Sequence, residues 1–499
     1  MEMPPDATDL AAGDPPLHAL LAAAHSPGHT VTAQLPRARI GLGGWPVVWS
    51  VRDGSASPGL PLAQHGATVF VLPTGTTPVG VSADENATAG NNSAHIVRDT
   101  GGHVHMIWVD SGRADGLVGA MYRRADTAPD GAVRFETGVL ELGPPGQGEW
   151  NAYPSLAAVG DTVHFVWQGG NTAHYRRLTN EAGAWRWSEA VDIGARSTGR
   201  DVGPAIAVGA SGVHIITPDG IYAHAADGGR TWVTEPLPLP PGGRVKTASV
   251  ALDPQGRPLV VASVALRTPP LSEDHGSGGA WTLLLWRRAA DGRWQSLPTP
   301  LSGRPEWAPP DDLRSDVLAD WARIAVDQTG GMHLTWHGTA VSRIYGNDRA
   351  YYAWHGPGAE AGWGAPMPLR DPDPARGYGF SYAPSLALAG EVALPLVFYG
   401  RRAGAGEAGF DADLLGFRTG VPAVIRQPVT RYMQRAIAHG EPTNGLASRF
   451  PAAAPAVYHA PDGRIWLDIL ETLVPTDLPD AMKLVVYQRI DLTGVLSGH

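Results

Sequence analysis

The sequence has no cysteine and almost no lysine. Without cysteine, the chain has no disulfide framework, no thiolate zinc site and no cysteine nucleophile. Among the 38 basic residues only Lys246 and Lys483 are lysines, and the formal net charge is −10. An acidic chain is poorly suited to binding nucleic acid, because the phosphate backbone is bound by basic surfaces. No apolar run approaches the roughly 18 residues of a transmembrane helix, so we expect no membrane partner.

The common cofactor motifs are also absent from the sequence. There is no Walker loop, no dinucleotide fingerprint and no HExxH zinc motif, so we expect no cofactor. Asp312, Asp316 and Asp320 are spaced four apart and would share one face if their segment were helical. We interpret them as a solvated acidic face, with a structural calcium ion as the alternative.

Glycine and proline are abundant instead. The 63 glycines and 45 prolines disfavour long helices, whereas 43% hydrophobic residues and 17 tryptophans exclude a disordered chain. We predict that residues 1–36 form a weakly ordered N-terminal arm. Its apolar run, Leu17 to Ala24, has no basic residue before it, since the first is Arg37, and it is therefore no secretion signal. An extracytoplasmic location is favoured if a leader was removed.

Internal repeats are the most informative feature of the sequence. Four segments share a histidine two residues before a central apolar position: HVHMIWVD (103–110), TVHFVWQG (162–169), GVHIITPD (212–219) and GMHLTWHG (331–338). Three further units, at 247–264, 382–400 and 454–470, repeat the strand pattern without the histidine. Four short strands repeated seven times, at roughly 40–70 residues, predict an all-β chain with one seven-bladed β-propeller over residues 37–499.

The seventh unit ends before a fourth strand can form, while the N-terminal segment has strands to spare, including one at 67–75. We predict that an N-terminal strand completes the last blade and closes the ring. Closure would leave no free sheet edge. A closed ring of this kind is expected to be a monomer.

The repeat separates structural residues from candidates for chemistry. His105, His164, His214 and His333 occupy one position in the second strand, so we interpret them as structural hydrogen-bonding residues. His337 does not recur: the other blades have different residues there. It lies at the end of a second strand, where the chain enters a loop on the mouth of the propeller. Two interpretations remain open: a catalytic role, or a structural role as a histidine that holds its loop.

Long mouth-side loops concentrate in units four to seven, and loops of that length tend to be functional. Their aromatic, amide and guanidinium groups suit an anionic glycan, because aromatic rings stack on sugars and arginine pairs with carboxylate or sulfate. The predicted catalytic residues are His337, Tyr399, Tyr382 and His95. The predicted substrate-binding residues are Arg343, Arg401, Arg314, Arg200, Trp307, Trp150, Tyr345 and Asn151.

Two turns carry a family resemblance. AADGGRTW (225–232) resembles the Asp-box of sialidase-type propellers, with Ala225 in the serine position, and AADGRW (289–294) is a shortened relative. The aspartate is expected to cap its own turn while the tryptophan packs between strands. The length and the repeat also resemble the seven-bladed propeller lyases of the ulvan-lyase type, which act on uronate-containing polysaccharides.

That resemblance implies β-elimination, in which histidine and tyrosine handle protons and arginine neutralises the uronate carboxylate. His337, Tyr399 and Tyr382 would then be base and acid, with Arg343 and Arg401 as the clamp. The paired histidines of that family are not evident here, where Asn91 and Asp110 stand at the corresponding strand ends. A sialidase-like glycoside hydrolase and a non-catalytic glycan-binding propeller remain as alternatives.

Overall fold

The computed structural model describes residues 76–90, 92–111, 118–128, 132–136, 138–143, 151–198, 202–265, 281–304, 307, 318–339, 349–358, 361–369, 380–403, 406–418, 421–430, 446–475 and 483–496. Only the backbone is described for strand residues 18–23, 33–34, 43–51, 63–71, 151, 318, 339, 380–383, 398–403, 406–411, 421–428, 430, 446–448 and 475.

Seven antiparallel sheets form the blades of a seven-bladed propeller, which confirms the predicted fold. Blade 1 comprises Ile96–Arg98, Val104–Asp110, Gly119–Thr127 and two short outer strands, Val133–Phe135 and Leu140–Glu141. Blade 2 comprises Asn151–Val159, Thr162–Gly169, Thr172–Glu181, Ala184–Trp187 and Val191–Arg196. Blade 3 comprises Ala205–Gly209, Gly212–Ile216, Ile221–Ala225 and Val233–Pro236. Blade 4 comprises Arg244–Leu252, Pro258–Ala265, Trp281–Arg288 and Trp294–Leu297.

The remaining blades repeat this order. Blade 5 comprises Leu318–Val326, Met332–Thr339, Arg349–His355 and Met367–Pro368. Blade 6 comprises Phe380–Ala389, Val392–Ala403, Gly406–Arg418 and Val421–Thr430. Blade 7 comprises Leu446–Ala453, Ile465–Pro475, Lys483–Asp491 and the N-terminal strand Thr76–Ser82, and the short strand Tyr458–His459 pairs with Ile465–Pro475. The helix Thr493–Leu496 follows, and no helix in the described part of the chain is long and apolar enough to cross a membrane.

The ring is closed by an N-terminal strand, as predicted. Thr76–Ser82 pairs antiparallel with Lys483–Gln488 of blade 7. The closing strand is thus the one that follows 67–75, because the strand Ala63–Val71 belongs to a different sheet. That separate sheet contains His18–Ala23, Ala33–Gln34, Gly43–Val51 and Ala63–Val71. Two of its strands lie inside residues 1–36, and the domain boundary at residue 36 stays a prediction.

The recurring histidines share one set of contacts. Each is buried, and its Nδ1 is hydrogen-bonded to a tyrosine hydroxyl on the adjacent third strand: His105 with Tyr122 (2.9 Å), His164 with Tyr175 (2.7 Å), His214 with Tyr222 (2.6 Å) and His333 with Tyr352 (2.8 Å). In blade 7, Asp468 takes the histidine position and accepts a hydrogen bond from Tyr487 at 2.6 Å. The predicted structural role is therefore confirmed.

The interior consists of apolar clusters between neighbouring blades. Trp108, Trp167 and Trp336, the tryptophans of the repeat, are fully buried in them. The turn at Asp227 behaves as predicted, since the backbone N–H groups of Arg230 and Thr231 donate to Asp227 Oδ1 at 2.8 and 2.9 Å. These bonds lower the pKa of the exposed Asp227 carboxyl to about 2.

Candidate functional site at the propeller mouth

Strand direction determines which residues meet at the mouth. All first strands start on one face of the ring, and the antiparallel second strands end there. We call this face the mouth, and the face that carries the turns between first and second strands the opposite face. Residues near the start of a first strand and the end of the second strand therefore lie side by side at the mouth.

The first strands are irregular where they start. The pairing shifts register near this end in blades 2, 4, 5, 6 and 7. Tyr153, Trp321 and Phe450 follow these shifts with positive φ angles of 49°, 52° and 43°. Bulky residues rarely adopt this conformation, which costs about 1–3 kcal/mol and is concentrated at functional sites. The rings of Trp321 and Phe450 stack with centroids 5.5 Å apart.

A charged cluster joins blades 4 and 5 at the mouth. Lys246 Nζ lies 2.5 Å from Asp320 Oδ2. Asp320 Oδ1 accepts hydrogen bonds from the Thr247 hydroxyl at 3.1 Å and from the Trp321 N–H at 2.8 Å. Asp320 is paired across the strands with His337, the histidine that does not recur in the other blades. We call Lys246, Asp320 and His337 the mouth cluster.

The electrostatics of the cluster are dominated by its buried carboxylate. Asp320 has no exposed surface, and burial alone would raise the pKa of its carboxyl group. The charges of Lys246 and His337, with the hydrogen bonds from Lys246 and Trp321, outweigh this effect and lower the pKa below its ordinary value. Asp320 is therefore ionised at neutral pH.

Exposure differs within the cluster. The Lys246 side chain is 24% exposed, whereas His337 is 2% exposed. Lys246 also lies over the Trp281 ring, with Nζ 5.7 Å from the ring centroid. A ligand at this part of the mouth would therefore meet an ammonium group beside an indole, with a histidine and a carboxylate behind it.

His95 lies elsewhere, in the entry to blade 1. It is 1% exposed, and its Nε2 is 3.3 Å from the Gly90 carbonyl oxygen. Burial lowers the pKa of His95 to about 4, and the charge of Arg323 acts in the same direction. The ring is therefore neutral at pH 7. Its catalytic role stays a prediction.

The other predicted site residues divide into two groups. Trp307 is 4% exposed and packs with Trp336 and Tyr351 at centroid distances of 6.0 and 5.0 Å, so its indole belongs to the core between blades 4 and 5. This packing corrects the expectation of a sugar-stacking plate. Arg343, Arg314, Arg200, Trp150 and Tyr345 lie outside the described residues, as do the side chains of Tyr399, Tyr382, Arg401 and Asn151.

Backbone register refines the tyrosine predictions. In blade 6, Tyr382 pairs with Phe398, and Ser381 pairs with Tyr399. The pair Asp320 and His337 lies at the corresponding place in blade 5. Phe398 therefore matches His337, and Tyr399 is one residue further along the strand than predicted.

Lys246 was not among the predicted site residues, and Asp320 lies in a different environment from the one predicted. Asp320 was interpreted as part of a solvated acidic face with Asp312 and Asp316, but it is buried in the first strand of blade 5 and pairs with Lys246. Asp312 and Asp316 lie outside the described residues. The described residues contain no group of three or more histidine, aspartate or glutamate side chains that could hold a metal ion. The rarity of lysine was the one signal that could have drawn attention to Lys246.

Comparison with known proteins identifies related architectures. No protein-family model matches the sequence, and no curated protein matches it. An ulvan lyase of polysaccharide lyase family PL25 superimposes with a TM-score of 0.50 and 10% identity, over 82% of this chain and 95% of that chain. The polysaccharide lyase Uly1 gives 0.45 and 12% over 79% and 89%, and the NanB sialidase of Streptococcus pneumoniae gives 0.38 and 9% over 86% and 75%. At such identities the likeness concerns the fold, and the architecture resembles that of the ulvan lyase, as predicted.

Proposed function

We propose that the protein is a carbohydrate-active enzyme that cleaves a uronate-containing polysaccharide by β-elimination at the propeller mouth. The observation that carries this proposal is the mouth cluster, in which a partly exposed cation lies beside a buried histidine and carboxylate. The ulvan-lyase-like ring supports it, because a lyase of uronate polymers uses the same architecture.

The reaction needs three groups. A base removes the C5 proton of the uronate, the electron pair forms the C4–C5 double bond, and the C4–O bond breaks as a proton reaches the leaving oxygen. A cation on the carboxylate makes the C5 proton more acidic by stabilising the charge that develops in the transition state. Elimination requires no metal ion for its electron balance.

The mouth cluster supplies two of these groups. Lys246 is the exposed member and would bind the uronate carboxylate, with Trp281 as an adjacent apolar surface. His337 would transfer a proton, and Asp320 acts through its neighbours as a positioning residue.

Tyr382 and Tyr399 on blade 6 remain the proposed proton donors to the leaving oxygen, and Arg343 and Arg401 the proposed clamp. Blade 6 packs directly against blade 5, so a sugar at the junction can reach both blades.

A panel of uronate-containing polysaccharides, ulvan included, tests the proposal. A lyase releases an unsaturated uronate whose double bond absorbs ultraviolet light, together with one new reducing end for each cleavage. New reducing ends without ultraviolet absorbance would identify a hydrolase and refute β-elimination. Binding without either product would identify a glycan-binding propeller and refute the enzyme.

A further inference from the structure

A cavity of about 540 Å³ runs along the ring axis between the first strands. Its wall combines polar groups with a run of apolar side chains that includes Leu156, Ile206, Leu252, Ile324 and Leu388. It extends from the level of Arg323 toward the opposite face, where Ala456 and His459 line it and are exposed. This volume is typical of small-molecule sites.

Polar bonds across the axis cover the mouth-side end of the cavity. Asn92 of blade 1 donates through Nδ2 to the carbonyl oxygens of Gly203 and Ala248, at 3.2 and 2.8 Å. Arg323 of blade 5 donates through Nη1 to the Ser93 carbonyl oxygen at 3.0 Å. Blade 1 is thus tied to blades 3, 4 and 5 at this level, and the cavity is reached from the opposite face.

Arg323 is a buried cation at this covered end. It is 5% exposed, and its Nη1 also donates to the Ser385 hydroxyl at 3.1 Å. Among the described residues, no side chain or carbonyl accepts a hydrogen bond from its Nε or Nη2, and no carboxylate lies within ion-pair distance. Burying a charge without a counter-charge is strongly unfavourable, so an anion at this position would stabilise the folded ring.

A second arginine shows which kind of anion fits the Nε and Nη2 side of the Arg323 guanidinium group. Arg98, at the other end of the same cavity, binds Asp468 through Nε at 2.5 Å and through Nη2 at 2.9 Å. These are the two nitrogens that Arg323 leaves unused. Their parallel N–H groups match the two oxygens of a carboxylate, whereas a spherical halide cannot accept both bonds in line.

We propose that the axial cavity binds a small monocarboxylate, with its carboxylate on Nε and Nη2 of Arg323 and a short aliphatic tail along the apolar wall. The site faces away from the mouth and does not depend on the proposed lyase activity. Its ligand enters past Ala456 and His459, so a mouth substrate and the carboxylate do not compete.

Isothermal titration of the full chain with hexanoate tests the proposal. Hexanamide serves as the uncharged analogue of the same shape, and chloride as the inorganic anion. Hexanoate is expected to bind and to raise the melting temperature, while hexanamide and chloride have little effect. Equal binding of hexanamide would overturn the role of the charge, and equal binding of chloride would overturn the choice of a carboxylate.

Two variants locate the site. Arg323→Gln retains an amide donor for the Ser93 carbonyl oxygen but removes the paired Nε–H and Nη2–H donors. This variant is expected to weaken hexanoate binding about 10- to 100-fold. Because Arg323 also ties blades together, Ala456→Trp provides a second test at an exposed position: the indole narrows the opening and should weaken binding without unfolding the ring. Full hexanoate affinity in a folded Arg323→Gln or in Ala456→Trp would overturn the proposed site. His337→Gln should bind hexanoate as the wild type does, which separates this site from the mouth.

Discussion

Lys246 Nζ lies 2.5 Å from Asp320 Oδ2, and this ion pair joins the first strands of blades 4 and 5 at the mouth. The carboxylate is fully buried while the ammonium group reaches solvent. An arrangement of this kind fixes the position of the cation without neutralising its exposed side. If Lys246 binds the substrate carboxylate as proposed, substitutions in this pair change both stability and substrate binding.

Lys246→Met is expected to lower the free energy of unfolding by about 3 kcal/mol, because it leaves a buried carboxylate without its cation. Adding Asp320→Asn should restore part of this loss, since the amide carries no charge. Urea unfolding followed by tryptophan fluorescence measures both variants. A double variant no more stable than Lys246→Met would show that the ion pair is not the cause.

His337→Gln is expected to lower kcat about 10²- to 10⁴-fold on a polysaccharide that the wild type cleaves, the usual contribution of a general acid–base group. Substrate affinity should change little, because Lys246, the proposed ligand of the uronate carboxylate, is unchanged. His355→Gln is the matched control, since His355 lies on the third strand of the same blade and bonds the Gly356 carbonyl oxygen. Full activity of His337→Gln would remove the histidine from the mechanism.

Tyr352→Phe tests the interpretation that the recurring histidines stabilise the blades through hydrogen bonds. His333 Nε2 lies 3.1 Å from Asp327 Oδ2, so its Nε2–H donates there and Nδ1 accepts from the Tyr352 hydroxyl. Removing the hydroxyl leaves a buried acceptor without its donor, which should cost about 1–3 kcal/mol of stability. Tyr458→Phe is the control, because the Tyr458 hydroxyl forms no hydrogen bond with any residue the structure describes. Equal stability of the two variants would contradict this assignment.

Stability is expected to fall in mildly acidic solution. Burial lowers the pKa of His164 to about 4 and that of His214 to about 3, whereas an unfolded histidine titrates near 6.5. The unfolded chain therefore binds the protons first. This stabilising contribution is complete above pH 6.5 and is lost as the pH falls toward 4, by about 1.4 kcal/mol per histidine and pH unit.

Urea unfolding at pH 7.5, 6 and 5 measures this slope. His164→Gln should reduce the difference in unfolding free energy between pH 7.5 and pH 5 while His459→Gln, at an exposed position, should not. A pH dependence identical in wild type and His164→Gln would exclude His164 as a source.

The repeat made the fold predictable, because each blade buries the same positions. The histidine position could be assigned from sequence for the same reason, and the structure adds its tyrosine partner and, for His333, the Asp327 carboxylate. The mouth was harder to predict because its residues do not recur. In the backbone register, Phe398 rather than Tyr399 matches His337, and no repeat of the sequence could have shown this displacement by one position.

Pairs between blades were not predictable at all. Lys246 and Asp320 lie in different repeats, separated by a long segment, and the packing of blade 4 on blade 5 brings them together. Trp307 was misassigned because a tryptophan in a long loop resembles a ligand-stacking residue, whereas its neighbours Trp336 and Tyr351 bury it. Arg323 stands in a first strand at the position where blades 2, 4 and 6 have Ser155, Ser249 and Ser385, and its significance depends on the cavity.

At Gly203, at the mouth end of blade 3, the close approach of blade 2 leaves no room for a side chain. A Cβ atom at this position would lie 1.9 Å from the Tyr153 carbonyl oxygen of blade 2, and Tyr153 already has a positive φ of 49°. The backbone there has little freedom to move away. Gly203→Ala is therefore expected to lower the free energy of unfolding by about 3 kcal/mol, the upper range for overpacking.

Gly362→Ala provides the matched control. No atom lies within 4 Å of a Cβ placed at Gly362, so alanine should be neutral there or stabilising by up to about 1 kcal/mol through the unfolded state. Urea unfolding of the two variants separates close backbone approach from a general effect of replacing glycine. If Gly203→Ala were as stable as Gly362→Ala, the contact between blades 2 and 3 would have to relax freely. The strained conformation of Tyr153 would then not be held by its neighbour.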